Sequence, residues 1–171
     1  ILNLLGRIEP ESLSDENFSE ERHIAEMQSI HYGTGVALYY FHKMQTLCVH
    51  GLYAQARKYA DEALANTGFI VNSAQEPECV FWHAMTLLHA GAHDGDSQLL
   101  NKDVERLENW AEVCPENYLA YLLLMQAGMA ARDGDTARAM DCHERALDAA
   151  LRHGFVGLAA QCAEQAGNFY L

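Results

Sequence analysis

Two stretches of the sequence, residues 51–64 and 134–147, superimpose without a gap, and this internal repeat constrains the fold more than any other feature. Each stretch begins with Gly, carries Ala five residues later (Ala56 and Ala139), and ends in the pair Ala-Leu. Small residues at these spacings let two helices approach closely, and helix pairs that repeat in this way stack into arrays. The sequence therefore predicts a helical repeat.

From residue 35 onward, apolar side chains recur every three or four positions, which is the period of an amphipathic helix. No stretch of useful length alternates with period two. The chain is predicted to be all-α, with antiparallel neighbouring helices joined by short connections. Turn and capping residues separate the periodic segments: Ser19, Asp96, Asn117 and Asp135 as helix N-caps, Ser73 and Glu76 as a capping box before Pro77, and Gly51, Gly68 and Gly154 as helix stops.

The repeat also predicts how the chain is organised. The offset of 83 residues between Gly51 and Gly134, with another hairpin midway, gives a period of about 40 residues. Because the chain starts without Met and its last helix stops at Leu171, we expect a segment of a longer protein. We predict an irregular lead-in over residues 1–18 and one helical-repeat domain over 19–171, with hairpins at about 35–68, 74–114 and 117–154 and an unpaired half-repeat at 156–171.

Composition narrows the possible partners. Half of the 171 residues are hydrophobic. The chain has 24 acidic and 11 basic residues, so its net charge is −13. Binding to nucleic acid requires a clustered basic surface, which this chain lacks, and we expect no nucleic-acid partner. The longest runs without a charge, residues 79–93 and 117–131, fall short of the roughly 20 residues that cross a bilayer, so we expect no membrane partner. Five widely spaced cysteines without a CxxC pair favour a reducing, cytoplasmic location.

Candidate chemistry is sparse. His89 and His93 are four residues apart, as are Cys79 and His83, and such pairs on a helix can supply two metal ligands. No HExxH or CxxC motif accompanies them, so the histidines are interpreted as surface or capping residues and no metal site is expected. Cys142 and His143 are adjacent in the sequence. Neighbouring side chains on a helix point about 100° apart, so this thiol and imidazole cannot pair directly as a nucleophile and its base. We expect no catalytic residues, no cofactor and no enzyme activity in this segment.

The repeated stretches resemble the second helix of a tetratricopeptide repeat, which typically reads G-D-Y-x-x-A-x-x-x-Y-x-x-A-L. The sequences are GLYAQARKYADEAL at residues 51–64 and GDTARAMDCHERAL at 134–147. The resemblance is weaker in the middle hairpin, where Leu100 replaces the small Ala, and the period exceeds the usual 34 residues. It implies a divergent tetratricopeptide-like α-solenoid, a right-handed superhelix of antiparallel helix hairpins.

A longer resemblance covers about residues 35–171. The strings FWHAMTL at residues 81–87, WAEVCPEN at 110–117 and NFYL at 168–171 are similar to the helical-repeat region of large modular bacterial signalling proteins. Those proteins join a protein-kinase-like domain, an AAA-type ATPase, this helical region, a GAF sensor and often a histidine-kinase end. No P-loop, HRD or DFG motif is present here, so the resemblance implies a non-catalytic module.

In tetratricopeptide arrays the first helix of each hairpin lines the concave face, and the resemblance implies an apolar groove there. Such a groove suits a helix of a partner protein or another domain of the same chain. The alternative, given equal weight, is that these residues pack against a neighbouring repeat outside the segment and do not form a binding site. Aligned on the turn glycines, the candidate groove comprises Leu38, Phe41, Gln45, Cys48, Trp82, Met85, His89, Tyr121, Leu124 and Gly128.

Two functions follow from this interpretation. The first is a protein-interaction and scaffold module of a cytoplasmic, multi-domain signal-transduction kinase or ATPase. The alternative is a ligand-sensing regulatory solenoid, as in ATPase-type transcription activators that bind small effectors in a helical-repeat domain. Both predict that the segment acts through binding.

Overall fold

The computed structural model of the chain describes residues 6–9, 11–91 and 93–171. Every regular element in this part of the chain is helical, so the predicted all-α class is confirmed. The helices belong to two compact units, of which the first ends at Gly91 and the second follows it. A single array over residues 19–171 therefore stays a prediction.

The first unit is built around one central helix. Its elements are α1 (Glu20–Ser29), α2 (Gly33–Val49), α3 (Tyr53–Ala65), a 3-10 turn (Thr67–Phe69) and α4 (Gln75–His89). Helix α2 packs against α1, α3 and α4, and α3 also packs against α4. Ahead of α1, residues 6–9 and 11–19 carry no helix, and residues 1–5 and 10 of the predicted lead-in lie outside the described residues.

The second unit contains α5 (Asp96–Val113), α6 (Pro115–Arg132), α7 (Thr136–Arg152) and α8 (Val156–Tyr170). Consecutive helices pack against each other, and α6 also packs against α8. The predicted hairpins at about 35–68 and 117–154 correspond to α2 with α3 and to α6 with α7. The middle hairpin stays a prediction, because α4 belongs to the first unit and α5 to the second.

The turns at Gly51 and Gly134, where the two repeated stretches begin, have the same geometry. Gly51 (φ 71°) and Gly134 (φ 78°) are both left-handed. In each turn the amide after the glycine donates back to a carbonyl of the preceding helix, at 2.8 Å for Leu52 to Leu47 and at 2.9 Å for Asp135 to Ala130. This is the Schellman pattern that ends a helix. The same bonds recur at Gly154 (φ 77°), ahead of α8.

The repeated alanines lie where the sequence predicts close helix contacts. Ala56 and Ala139 have no exposed surface. Helix α3 contributes only alanines to its buried face (Ala56, Ala60 and Ala63), so large side chains from the other helices fill the core. The largest fully buried apolar side chains in the first unit are Phe41, Phe81, Met44, Leu47 and Val80.

Several predicted helix starts are wrong by one to three residues. Ser19 and Asp135 cap α1 and α7 as predicted, each accepting from the amide three residues later. Ser73 does not cap α4, because its hydroxyl donates to the Ile70 carbonyl at 2.6 Å, and α4 begins after Ala74 instead. Helix α5 starts at Asp96 after a left-handed Gly95, and α6 starts at Pro115, so neither Asp96 nor Asn117 is an N-cap.

Helix ends also differ from the sequence prediction. Helix α4 ends at His89, although its apolar pattern continues toward residue 92, which lies outside the described residues. Gly68 falls within the 3-10 turn rather than directly after α3. Among the described helices, none combines the length and apolar character that crossing a membrane requires.

Candidate functional site

The predicted groove residues divide into core and surface side chains. Five of them are buried within their own units: Phe41, Cys48, Trp82, Met85 and Leu124. Because at most 6% of each of these residues is exposed, they offer a partner almost no surface while the helices stay packed, and we assign them to the core. The other five keep some exposed surface: Leu38, Gln45, His89, Tyr121 and Gly128.

His89 and His93 do not lie on one helix, whereas Cys79 and His83 are both buried in α4. His89 ends α4 and its ring stacks on Tyr53 at 4.7 Å, whereas the backbone amide of His93 donates to Asp96 in the second unit. The expectation that His89 and His93 share one helix is therefore wrong. Within the described ranges, no group of three or more His, Cys, Asp or Glu side chains is placed to hold a metal ion.

The most unusual polar arrangement is a buried ion pair. The Lys43 ammonium on α2 lies 2.7 Å from Oε1 and 2.8 Å from Oε2 of Glu20, the first residue of α1. Only 3% of the lysine side chain and 10% of the glutamate side chain are exposed. A third bond, 2.6 Å long, runs from Lys43 to the backbone carbonyl of Glu11. The ammonium thus uses all three of its hydrogens within the protein.

This pair orders the lead-in on the first unit. The Glu20 carboxylate also accepts from the Leu13 amide at 3.3 Å, and the Glu20 amide donates to the Ser14 hydroxyl at 2.9 Å. Gln55 of α3 donates to the Glu11 carboxylate at 3.3 Å. The irregular segment over residues 11–19 is therefore bound to both α2 and α3 through named polar contacts.

A cavity of about 90 Å³ adjoins the ion pair and is lined by Glu11, Lys43, Leu47, Gln55, Lys58 and Tyr59. Drug-sized ligand pockets measure roughly 300–1,000 Å³, so this cavity has room for a few waters or a very small ligand. Lys43 has no hydrogen left to offer there. Lys58 is exposed and supplies the second cationic side chain of the lining.

Two tyrosines lie in the same region. Burial raises the pKa of Tyr39, and the negative charge of Glu20 adds to the effect. Burial first and Glu20 second likewise raise the pKa of Tyr59, whose ring lies 5.6 Å from the Lys43 ammonium. These phenols stay protonated at neutral pH. They contribute apolar rings and neutral hydroxyls to the cluster.

A second polar cluster lies in the core between α2 and α4. Thr86 donates its hydroxyl to the Trp82 carbonyl at 2.8 Å and lies 3.2 Å from the Cys48 thiol. Burial raises the pKa of Cys48 to about 12, so the group is a thiol at neutral pH. A protonated, inaccessible sulfur is a poor nucleophile. Cys48 therefore acts as a core side chain.

The first unit also presents an exposed apolar cluster, here called the junction patch: Ile30, Tyr32, Phe69 and Val71. Their exposed fractions are 72%, 51%, 58% and 54%. Ile30 and Tyr32 lie between α1 and α2, while Phe69 and Val71 lie between α3 and α4. The Phe69 ring covers Gly33 so closely that a Cβ there would overlap it, and Thr34 donates to the Phe69 carbonyl at 3.3 Å. These contacts bring the two connections together.

Sequence reasoning missed both the ion pair and the patch. Lys43 is the one charged residue of α2, within an otherwise apolar helix, and that isolation was a usable signal. Its partner could not be identified, because Glu20 is one of several acids in the lead-in. The junction patch had no signal, since its residues fall between helices and meet only through the tertiary contact at Gly33.

Comparison with known proteins adds no relative. Neither the protein-family models, nor the curated proteins, nor the solved structures contain a match to this chain.

Proposed function

We propose that this chain is a non-catalytic protein-interaction module of the helical-repeat type. The observation that carries the proposal is the set of large apolar side chains that each unit leaves exposed although its core is already packed. Apolar side chains clustered on a surface are typical of sites that bind other proteins. The exposed apolar side chains of the second unit include Val113, Met140, Leu151, Val156 and Tyr170, and those of the first unit include the four of the junction patch.

In the wider proposal, the helices continue the right-handed superhelix of a divergent tetratricopeptide-like solenoid. The repeated glycine turns and the buried alanines at equivalent positions support this arrangement. The parent molecule is a cytoplasmic, multi-domain bacterial signalling protein, and the resemblance of residues 35–171 supports that setting. In it, the module binds another domain of the same chain or a helical segment of a partner, and so restrains an attached kinase, ATPase or sensor.

A ligand-sensing regulatory solenoid is the second candidate, and the cavity beside Lys43 is the observation that favours it. Its size restricts the effector to a very small polar molecule. Thermal-shift screening of small carboxylates and phosphates tests this candidate, with Lys58→Met as the variant expected to lose any response. A stabilisation that survives Lys58→Met contradicts a site in this cavity.

Position-specific photo-crosslinking tests the interaction function. A photoreactive phenylalanine replaces one exposed apolar residue at a time (Tyr32, Val113 or Val156), and the exposed Lys102 serves as the polar control. In lysate of cells that express the protein, we expect at least one apolar position to give a discrete adduct with one protein, and position 102 to give none. Absence of adducts from every apolar position, or equal labelling from position 102, would contradict the proposal.

A further inference from the structure

We infer that the junction patch binds a cationic amphipathic helix of a partner protein, an inference that rests on the interaction function proposed above. The patch supplies the apolar contact, and the acidic side chains around it supply the charge complementarity. The first part of the argument is that the patch is a built surface and not a frayed loop.

Hydrogen bonds hold both connections of the patch in place. The amide of Tyr32 donates to the Met27 carbonyl at 2.9 Å, and the Tyr32 ring lies against Gly35 of α2. On the other side, the amide of Ile70 donates to the Thr67 carbonyl at 2.9 Å, and Ile70 itself is buried. The apolar side chains on either side of these anchors, Tyr32, Phe69 and Val71, are therefore presented outward from fixed backbone.

The backbone is strained at both connections. His31 (φ 55°) and Asn72 (φ 61°) are the two non-glycine residues with left-handed backbone in the described part of the chain. Each lies directly beside a patch residue, next to Tyr32 and Val71 respectively. Such conformations cost free energy, and strain of this kind concentrates at functional surfaces. It gives independent support to the patch as a surface shaped for contact.

Acidic side chains lie beside the patch on two elements. Glu26 lies one helical turn before Ile30 on α1, and Glu76 of α4 accepts from the Asn72 amide at 2.9 Å, beside Val71. Arg22 contacts Glu26 at 3.9 Å with both side chains largely exposed, and it offsets part of the charge of Glu26, whereas Glu76 lies beside the other connection.

These observations select the partner chemistry. An apolar centre bordered by carboxylates complements a helix whose apolar face is flanked by Lys and Arg. A second copy of this chain, with a net charge of −13, or an anionic lipid surface meets electrostatic repulsion instead. A cationic helix gains both from burying the four apolar side chains and from the surrounding field.

Fluorescence anisotropy with three labelled peptides of about 18 residues tests the inference. The first is an amphipathic Leu/Lys helix, the second is its Leu/Glu counterpart, and the third is the Leu/Lys composition in scrambled order. We expect saturable binding of the Leu/Lys helix, at least about tenfold weaker binding of the scrambled peptide, and no binding of the Leu/Glu helix. Affinity should fall as salt rises, because the acidic border contributes by attraction.

Three variants locate the site. Tyr32→Ser/Phe69→Ser should weaken binding of the Leu/Lys helix about tenfold or more, whereas the matched control Val113→Ser/Val156→Ser, which removes apolar residues from the second unit, should leave it unchanged. Glu26→Gln/Glu76→Gln should weaken binding and flatten its salt dependence. All substituted side chains are at least partly exposed, and circular dichroism verifies that each variant keeps its helices.

Three results would overturn the inference. They are no saturable binding of the Leu/Lys helix, equal binding of the scrambled peptide, and equal loss in the control variant. Sedimentation showing self-association that Tyr32→Ser/Phe69→Ser abolishes would assign the patch to a second copy instead. If photo-crosslinks then form only from Val113 or Val156, the interaction function stands and the junction patch fails. If they form from no apolar position, both fail.

Discussion

His31 occupies, in the turn between α1 and α2, the position that Gly51 occupies between α2 and α3. In both turns the residue is left-handed, with φ 55° for His31 and 71° for Gly51. The amide of the next residue closes the turn in both, at 2.9 Å for Tyr32 to Met27 and at 2.8 Å for Leu52 to Leu47. The same left-handed turn thus occurs once with glycine, which favours this backbone conformation, and once with histidine, which does not.

Replacing His31 with glycine should therefore stabilise the chain. A left-handed backbone costs a side chain about 1–2 kcal/mol, and glycine loses about 0.5–1 kcal/mol more backbone entropy on folding, so His31→Gly should raise the free energy of unfolding by about 0.5–1 kcal/mol. The reciprocal change Gly51→His should lower it by a similar amount. Urea denaturation measures both. A loss of stability in His31→Gly would mean that the imidazole makes contacts that outweigh the strain.

The buried ion pair should be sensitive to removal of one partner. Lys43→Met leaves the Glu20 carboxylate buried without its counter-charge, and we expect a loss of about 3 kcal/mol in the free energy of unfolding. The double variant Lys43→Met/Glu20→Gln should recover part of that loss, since it removes the buried charge. Chemical denaturation of the single and double variants gives the coupling between the two side chains.

An exposed ion pair provides the control. Arg145 and Asp141 lie 2.9 Å apart on α7 with 59% and 61% of their side chains exposed. Arg145→Met should change the free energy of unfolding by less than about 0.5 kcal/mol. If Lys43→Met costs no more than Arg145→Met, the ion pair does not anchor the lead-in as its geometry indicates.

His143 should make the second unit weaker in mild acid. Its ring is buried against Phe169 of α8, Nδ1 has no hydrogen-bond partner within the described residues, and burial lowers the pKa below the ordinary 6.5. The folded state thus binds this proton more weakly than the unfolded state. The resulting stability is complete above pH 6.5, falls as the unfolded histidine takes up its proton below that pH, and is lost once the pH passes below the folded pKa.

Urea denaturation at about pH 7.5 and about pH 5.5 measures this effect, with His143→Phe as the variant that keeps an aromatic ring in place. Wild-type protein should lose more stability between the two values than His143→Phe does. His153→Asn, which changes an exposed histidine at the end of α7, should behave as wild type. Equal pH dependence in wild type and His143→Phe would exclude His143 as the origin.

The cysteines should differ in their reactivity. Burial raises the pKa of Cys48 to about 12 and that of Cys162 to about 11, whereas Cys114 is partly exposed at the turn between α5 and α6. With iodoacetamide at about pH 8, mass spectrometry should find Cys114 alkylated first and Cys48 last in the native protein. In denaturant all should react at similar rates. Alkylation of native Cys48 as fast as Cys114 would contradict the packing of α2 against α4.

Much of the fold could be predicted from the sequence, because its strongest signals are local. The apolar period identifies the helices, and the glycines at 51, 134 and 154 mark turns that require a left-handed residue. Helix starts were less certain, since a Ser with a Glu three residues later satisfies the capping pattern while the real bonds run from Ser73 to Ile70 and from Asn72 to Glu76. Local competition between polar side chains decides such cases.

The site was harder to predict because it depends on tertiary contacts. The helical spacing of Phe41 and Met85 is the same for residues that line a groove and for residues in a core. Only the packing of the helices assigns these two side chains to the core. The partner of Lys43 was likewise hard to predict, because it lies 23 residues away in the sequence. The junction patch depends on the Phe69 ring reaching Gly33, for which neither segment carries a periodic signal.

Hydrogen–deuterium exchange of the intact chain, alone and with the partner that photo-crosslinking identifies, tests the central claim most directly. If the chain is an interaction module that binds through the junction patch, the partner should slow exchange at residues 30–34 and 67–73, while α7 and α8 exchange as before. Unchanged exchange at both connections, or protection confined to residues 93–171, would contradict the claim.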